Sequence, residues 1–359
     1  MKSTGIVKLK LLNFRSYKSV EVEFSNLPAV IFGKNGVGKT NLLEAISLLY
    51  SGKGLRKANF SEMAKIPGNN SWKIEALCKQ DNNLFEIETF SNGQGREVYV
   101  DGKKTSQQSL GNYLKMIWFL PPMDRVWMEG SKDRRKFLDR MVFSINTNHA
   151  KDCRQYENLL RERNRLLKDK IYDESWYVAI ENQMAKIGYN IDLSRRQFME
   201  SINRVLKEES IYFPSIKILL STEPWESQDK LMTEYIENRK KDLLTGRTNT
   251  GPHSTDLKGI YLEKDIETKY CSTGEQKLSI ISIILANARL IKQKASVKPI
   301  LILDEITAHL DEKKREYLFE EILALESQFF ISGTESEIFQ SISKKAKVLE
   351  LTLDGEIRI

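Results

Sequence analysis

Along the chain the spacing of apolar positions changes twice. Residues 6 to 32 alternate apolar and polar side chains, as in IVKLKLLNF and VEVEF, and this period of two predicts half-buried strands. SWKIEALCK, NLFEIETFS and REVYVDGKKT repeat the pattern, the last turning at Asp101-Gly102 in a hairpin signal, so the chain is strand-rich to about residue 118. From about 131 to 210 the period lengthens, and SKDRRKFLDRMVFSI, CRQYENLLRERNRLLKDK and AIENQMAKIGYNIDLSRRQFMESINRVLKEE read as charged amphipathic helices. In the second, Tyr156, Leu159, Leu160, Leu166 and Leu167 share a face, while Arg154, Arg161, Lys168 and Lys170 fall mostly elsewhere. A solvated surface explains those cations as well as a polyanion contact does.

Past Pro214 and Pro224 a strand and loop texture returns around TGRTNTGPHSTDLKGIYLEKD. A helix follows from about 272, then a buried strand in PILILDE, a helix from about 311 and a short strand in QFFISG. The fold class is α/β. The two strand-rich ends, 1–120 and 246–359, are expected to form one domain into which a helical arm, 121–245, is inserted.

Between the apolar run LPAVIF and the helix-forming run NLLEAISLLY stands FGKNGVGKTN, a match to G-x-x-x-x-G-K-[ST] in strand, loop, helix context. Gly33, Lys34, Asn35, Gly36, Val37, Gly38, Lys39, Thr40 and Asn41 form the candidate nucleotide cradle. Glycines let successive N–H groups converge on a polyphosphate at a helix N-terminus; Lys39 is placed for its β- and γ-phosphates and Thr40 for Mg²⁺. The buried run Ile300 to Leu303 ends in Asp304 and Glu305, where ligand sites of open α/β sheets form. Asp304 is the second candidate metal residue, and Glu305 the base that orients and deprotonates water.

Composition adds two facts. The 359 residues carry a net charge of +7, from 56 Lys and Arg against 49 Asp and Glu, which suits a polyanionic partner. Cys78, Cys153 and Cys271 form no CxxC pair and imply neither a zinc site nor a disulfide scaffold, in keeping with a reducing cytoplasm. MKSTGIVKLKLLNF has no apolar signal core, and no run approaches the roughly 20 apolar residues that span a bilayer, so export and membrane insertion are not expected.

Ahead of the Asp-Glu strand, YCSTGEQKLSIISIILANARL opens an apolar helix at Ser272. Ser272 and Glu275 satisfy a capping box, and the same run resembles the signature loop of ABC-type ATPases, which contacts nucleotide held by the other subunit. The order P-loop, signature, Asp-Glu strand, HLD and a strand ending at Gly333-Thr334 resembles that class throughout. The span from Lys39 to Ser272 exceeds that of transporter ATPases and falls short of SMC coiled coils. LKLLNFRSYKSVEVEFS with its Phe-Arg-x-Tyr element, FLPPMDRVWMEGSKDRRKFLDRMV, LLRERNRLLK, TGPHSTDL, STGEQK and ILDEITAHLD are together similar to the RecF family, from about residue 7 to 340.

That resemblance implies an ABC-type ATPase head with an inserted helical arm, using ATP and Mg²⁺ and dimerising around two ATP molecules. Ser272, Gly274, Gln276, Asp311 and Thr334 would join the P-loop in holding nucleotide, with Lys39, Asp304 and Glu305 carrying hydrolysis. The family's partners are DNA near single-strand gaps, RecR and RecO, and through them RecA. On charge and place alone the DNA contacts are Arg56, Lys57, Arg134, Arg135, Arg161, Arg163 and Arg165. Three departures stand out. SGTES occupies the position of the transporter switch His, no Q-loop glutamine stands near WFLPP, and basic Lys277, a further candidate for phosphate or DNA, follows Gln276. His309, before Asp311, is expected to be structural or solvent-facing. The rivals are a membrane-coupled transporter ATPase, which those departures disfavour, and a DNA clamp using ATP only to dimerise, which the intact hydrolytic residues disfavour.

Overall fold

The alternating segments at the N-terminus pair with one another. In the computed structural model, which describes residues 3–66, 68, 70–207, 213–352 and 356–358, the chain divides into two units, Met1–Asp124 with Ile280–Ile359, and Arg125–Ser279. In the first unit an antiparallel sheet of order β2-β1-β4-β5-β6-β7 is built from β1 (Thr4–Phe14), β2 (Tyr17–Glu23), β4 (Trp72–Gln80), β5 (Asn83–Ser91), β6 (Glu97–Val100) and β7 (Lys103–Thr105). Burial alternates strictly along most of β4, as a period of two demands. Asp101 and Gly102 both take positive φ, 47° and 73°, in the turn that joins β6 to β7.

A second sheet of the same unit runs β15-β14-β3-β13-β12-β8. It comprises β3 (Ala29–Phe32), β8 (Met116–Phe119), β12 (Ile300–Leu303), β13 (Phe329–Gly333), β14 (Lys347–Leu351) and β15 (Ile357–Arg358), all parallel except β15. Because β12 is covered on both faces it is apolar at every position. The P-loop strand β3 and the Asp-Glu strand β12 are not neighbours: β13 lies between them. Helices α1 (Lys39–Ser47), α2 (Leu110–Tyr113) and α8 (Glu312–Ala324) belong to this unit.

The second unit holds α3 (Ser131–Ile145), α4 (His149–Lys168), α5 (Glu174–Lys207) and α6 (Gln228–Thr245), and a three-stranded sheet of β9 (Ile216–Leu220), β10 (Leu257–Tyr261) and β11 (Ile266–Glu267). Tyr156, Leu166, Leu167, Tyr177, Met184, Leu231 and Tyr235 form its core. The unit extends to Ser279 rather than to 245, because β10 pairs with β9 across the sequence of α6. Helix α7 (Thr273–Ala295) therefore begins in this unit and ends in the first.

Candidate nucleotide site

The P-loop glycines do what their lack of Cβ allows. Gly33, Gly36 and Gly38 have φ of 145°, 87° and 110°, which L side chains rarely adopt. A Cβ on Gly33 would lie 2.4 Å from the Leu351 carbonyl, and one on Gly38 2.8 Å from Ser16 Oγ. Gly38 caps α1 without a side chain, and the first turn, Lys39-Thr40-Asn41, carries no acidic group, so the helix dipole faces a cradle that suits an anion. Lys34, Asn35 and Gly36 are exposed, while Val37 turns inward. Lys39 is 5% exposed, and its Nζ donates to the carbonyls of Gly33 at 2.6 Å and Lys34 at 3.1 Å. Burial pulls its pKa below the usual lysine value, opposed by the charges of Glu305 and Asp304.

Opposite α1, Asp304 is buried at the end of β12. Thr40 Oγ1 lies 3.1 Å from Asp304 Oδ2, a contact between residues 264 apart in sequence. The pair is an all-oxygen donor set, the chemistry Mg²⁺ requires. A residue that sequence reasoning missed completes it: Ser332, in β13, donates to Asp304 Oδ1 at 2.6 Å and accepts from the Glu305 N–H at 2.9 Å. Glu305 is half-buried with φ of 49°, left-handed backbone that a glutamate occupies only when held. The only sequence signal for Ser332 was a hydroxyl inside the apolar strand FFISG.

The Phe-Arg-x-Tyr element also lands on the P-loop. Arg15 grips the fully buried Glu44 of α1 with two bonds, 2.8 and 2.9 Å, and Tyr17 donates to the Gly38 carbonyl at 3.0 Å. Burial raises the Tyr17 pKa, which keeps that hydroxyl a donor. Asn41 donates to Ser16 Oγ and accepts from Arg56 at 2.8 Å. Asn41 thus faces its own chain's scaffold.

The signature run is partly corrected. Ser272 and Glu275 form a capping box, with Ser272 N and Oγ 3.0 and 2.9 Å from Glu275 Oε2. Lys264 and then Ser272 hold the Glu275 carboxyl down at about 2. Ser272, Thr273 and Gly274 are exposed, and nothing lies within 4 Å of a Cβ on Gly274. Gln276 is not available to a ligand as expected: it is 4% exposed and its amide donates to the Cys271 and Lys269 carbonyls, locking the loop. Lys277 is buried as well. Asp311 is exposed and caps α8 by accepting from Lys314 N, its pKa lowered by Lys314. Thr334 and His309 are exposed.

Among the proposed DNA contacts Arg163 is a correction. It is fully buried, bonded to Glu181 at 3.0 Å, Asp242 at 2.7 Å and Thr248 at 2.8 Å, with its guanidinium 6.0 and 5.5 Å from the ring centroids of Tyr177 and Tyr235. Its place seven residues after Tyr156 and three before Leu166, on the apolar face of α4, was the available signal. Arg134 spends its fork on Asp256 at 2.8 and 2.7 Å, and Arg135 donates to the Thr255 carbonyl. Arg56, Lys57, Arg161 and Arg165 are exposed. Elsewhere in the arm, Cys153 and Asp139 both approach His149 Nε2, at 3.5 and 2.8 Å, but Arg195 takes both Asp139 oxygens. That cluster reads as a hydrogen-bonded network.

Known proteins share this fold. The model for the RecF/RecN/SMC N-terminal domain matches residues 5–354. The DNA replication and repair protein RecF of Rhizobium rhizogenes strain K84 is 36% identical over 98% of this chain and 97% of its own. Among solved structures, the recombination mediator protein RecF-ATPrS in the RecFOR pathway aligns with a TM-score of 0.86 at 26% identity, covering 99% of this chain and 98% of that one. The Smc head domain of Pyrococcus furiosus, bound to the C-terminal domain of ScpA, shares the fold, with a TM-score of 0.56 at 18% identity over 99% of this chain and 95% of that one. Among the described residues no helix is long and apolar enough to cross a membrane.

Proposed function

This chain belongs to the RecF family, and from that premise we propose that it is a DNA replication and repair protein that binds and hydrolyses ATP to close and reopen a dimer on DNA. The observation that carries the reading is the contact between Thr40 and Asp304, with Glu305 next in chain, because it joins the P-loop helix to a hydrolytic carboxylate pair. Lys39 would exchange the loop carbonyls for the β- and γ-phosphates. Thr40 and Asp304 would hold Mg²⁺, which when bound supplies neutralisation of phosphoryl charge. Glu305 would orient the attacking water and take its proton. Such catalysis is mostly positioning, so slow turnover fits a timing role.

Exposed Ser272 and Gly274 suit the γ-phosphate of nucleotide held by a second copy, with Asp311 and Thr334 as further candidates at that junction. DNA contact falls to Arg56, Lys57, Arg161 and Arg165 and would be salt-sensitive and largely sequence-independent. Work with RecR and RecO in loading RecA at gaps follows from the family reading. The test is ATP hydrolysis by the purified protein with and without gapped duplex DNA, across a salt series. Stimulation that fades as salt rises supports the proposal; hydrolysis indifferent to DNA at every salt concentration contradicts its DNA-coupled part, and no hydrolysis contradicts the whole.

A further inference from the structure

We propose that Ser332 is a positioning residue for ATP hydrolysis, holding the metal-site aspartate and the water-activating glutamate in one rigid arrangement. The inference rests on the ATPase reading above and adds to it a residue from the strand between the two halves of the site. Ser332 is wholly buried in β13. A buried hydroxyl must find partners, and both of its bonds end on the hydrolytic pair. The Glu305 N–H can only donate, so the Ser332 oxygen accepts there and its single proton goes to Asp304 Oδ1. Thr40 meanwhile lies nearer Oδ2, so two hydroxyls from two elements fix the carboxylate.

The second bond acts on Glu305. Its left-handed backbone, φ 49°, is sparsely populated for a glutamate, and the bond from its N–H to Ser332 helps hold the peptide in that turn. Removing Oγ therefore loosens the metal-site carboxylate and the base together. Neighbouring positions cannot substitute. A Cβ on Gly333 would lie 2.5 Å from the Phe339 ring, so that position accepts no side chain, and Thr334 is exposed beyond the strand. In this chain β13 thus contributes through a side chain inside the strand.

The experiment compares Ser332→Ala, Ser332→Thr and Glu305→Gln with wild type, measuring kcat, KM for ATP, equilibrium binding of a fluorescent ATP analogue, and thermal unfolding. Ser332→Ala is expected to lower kcat about ten- to a hundredfold, the kinetic equivalent of a lost hydrogen bond to a charged group, while analogue binding and KM stay within about twofold. Ser332→Thr, which restores the hydroxyl, should recover most of the rate; where its methyl does not fit, Ser332→Cys, a weaker donor, should fall between Ala and wild type. A merely structural serine would lower the unfolding temperature and the fraction of binding sites, with kcat per remaining site unchanged, and that result overturns the proposal. So does a wild-type rate in Ser332→Ala while Glu305→Gln is inactive. Hydrolysis indifferent to Glu305→Gln would instead overturn the ATPase reading, and this inference with it.

Discussion

The P-loop and the Ser-Thr-Gly-Glu-Gln loop both introduce helices, yet their polar groups are satisfied in opposite ways. Around α1 the partners are remote: Thr40 reaches a carboxylate 264 residues away, and Arg15 and Tyr17 clamp the helix from the β1–β2 turn. Around the start of α7 most partners are local: Ser272 and Glu275 bond each other, and Gln276 bonds Cys271. The difference teaches what each loop can do by itself. The first becomes a site only once the sheet has formed, and then holds a lysine, a hydroxyl and two carboxylates in one chain. The second is shaped by its own neighbourhood and leaves Ser272, Thr273 and Gly274 exposed. A loop built and displayed in this way fits a role in completing someone else's site.

The largest effect should come from Glu305→Gln, which keeps the shape of the first loop's site and removes its base. Turnover should fall by about a hundredfold or more while ATP still binds, and sedimentation should show a dimer that persists with ATP. Normal turnover, or only monomers with ATP, would break the contrast drawn here at its stronger end.

Next in size is Arg163→Met, which asks whether the arm's arginines serve the fold or DNA. With Asp242 left buried without its cation and Glu181 left to Arg239 alone, stability should drop by about 3 kcal/mol in denaturant unfolding. At temperatures where the variant stays folded, its affinity for DNA should match wild type. Arg161→Gln should do the reverse, weakening DNA binding with little change in stability. An Arg163 variant that is fully stable and fails to bind DNA would reinstate the original expectation.

Much of this was legible in the sequence, for identifiable reasons. Glycine spacing and a charged pair closing an apolar strand are local signals, so the P-loop and Asp304-Glu305 stood out, as did the hairpin at Asp101-Gly102. Strand β8, Met116-Ile-Trp-Phe119, did not stand out, because four consecutive apolar residues carry no period, and its pairing with β12 is nonlocal. Ser332 was illegible for the same reason: strand order puts it beside Asp304. Arg163 was misread because charge was weighed above position, although its spacing from Tyr156 and Leu166 places it on the buried face.

The smallest effect concerns the second loop's own cap. Ser272→Ala should cost about 1 kcal/mol at neutral pH and leave each subunit's ATP binding intact. The Glu275 carboxyl, held at about 2 against an ordinary 4.5, contributes stability that is present above 4.5 and lost as pH falls toward 2. Lys264 carries the larger part of that depression and Ser272 the rest, so the gap between wild type and Ser272→Ala should narrow across this window in thermal melts. A gap that stays constant down to pH 2 would mean that Ser272 does not act through this carboxylate.

The contrast between the two loops is tested most directly by mixing Lys39→Ala with Ser272→Arg. Each variant alone should be nearly inactive, the first for want of nucleotide binding and the second for want of closure. If the signature loop of one copy completes the P-loop site of the other, the heterodimer has one site carrying both lesions and one carrying neither. ATPase activity should then reappear on mixing, at roughly one competent site per heterodimer. Mixtures that remain as inactive as their components, or a Ser272→Arg protein that dimerises and hydrolyses ATP normally, would contradict the shared-site account.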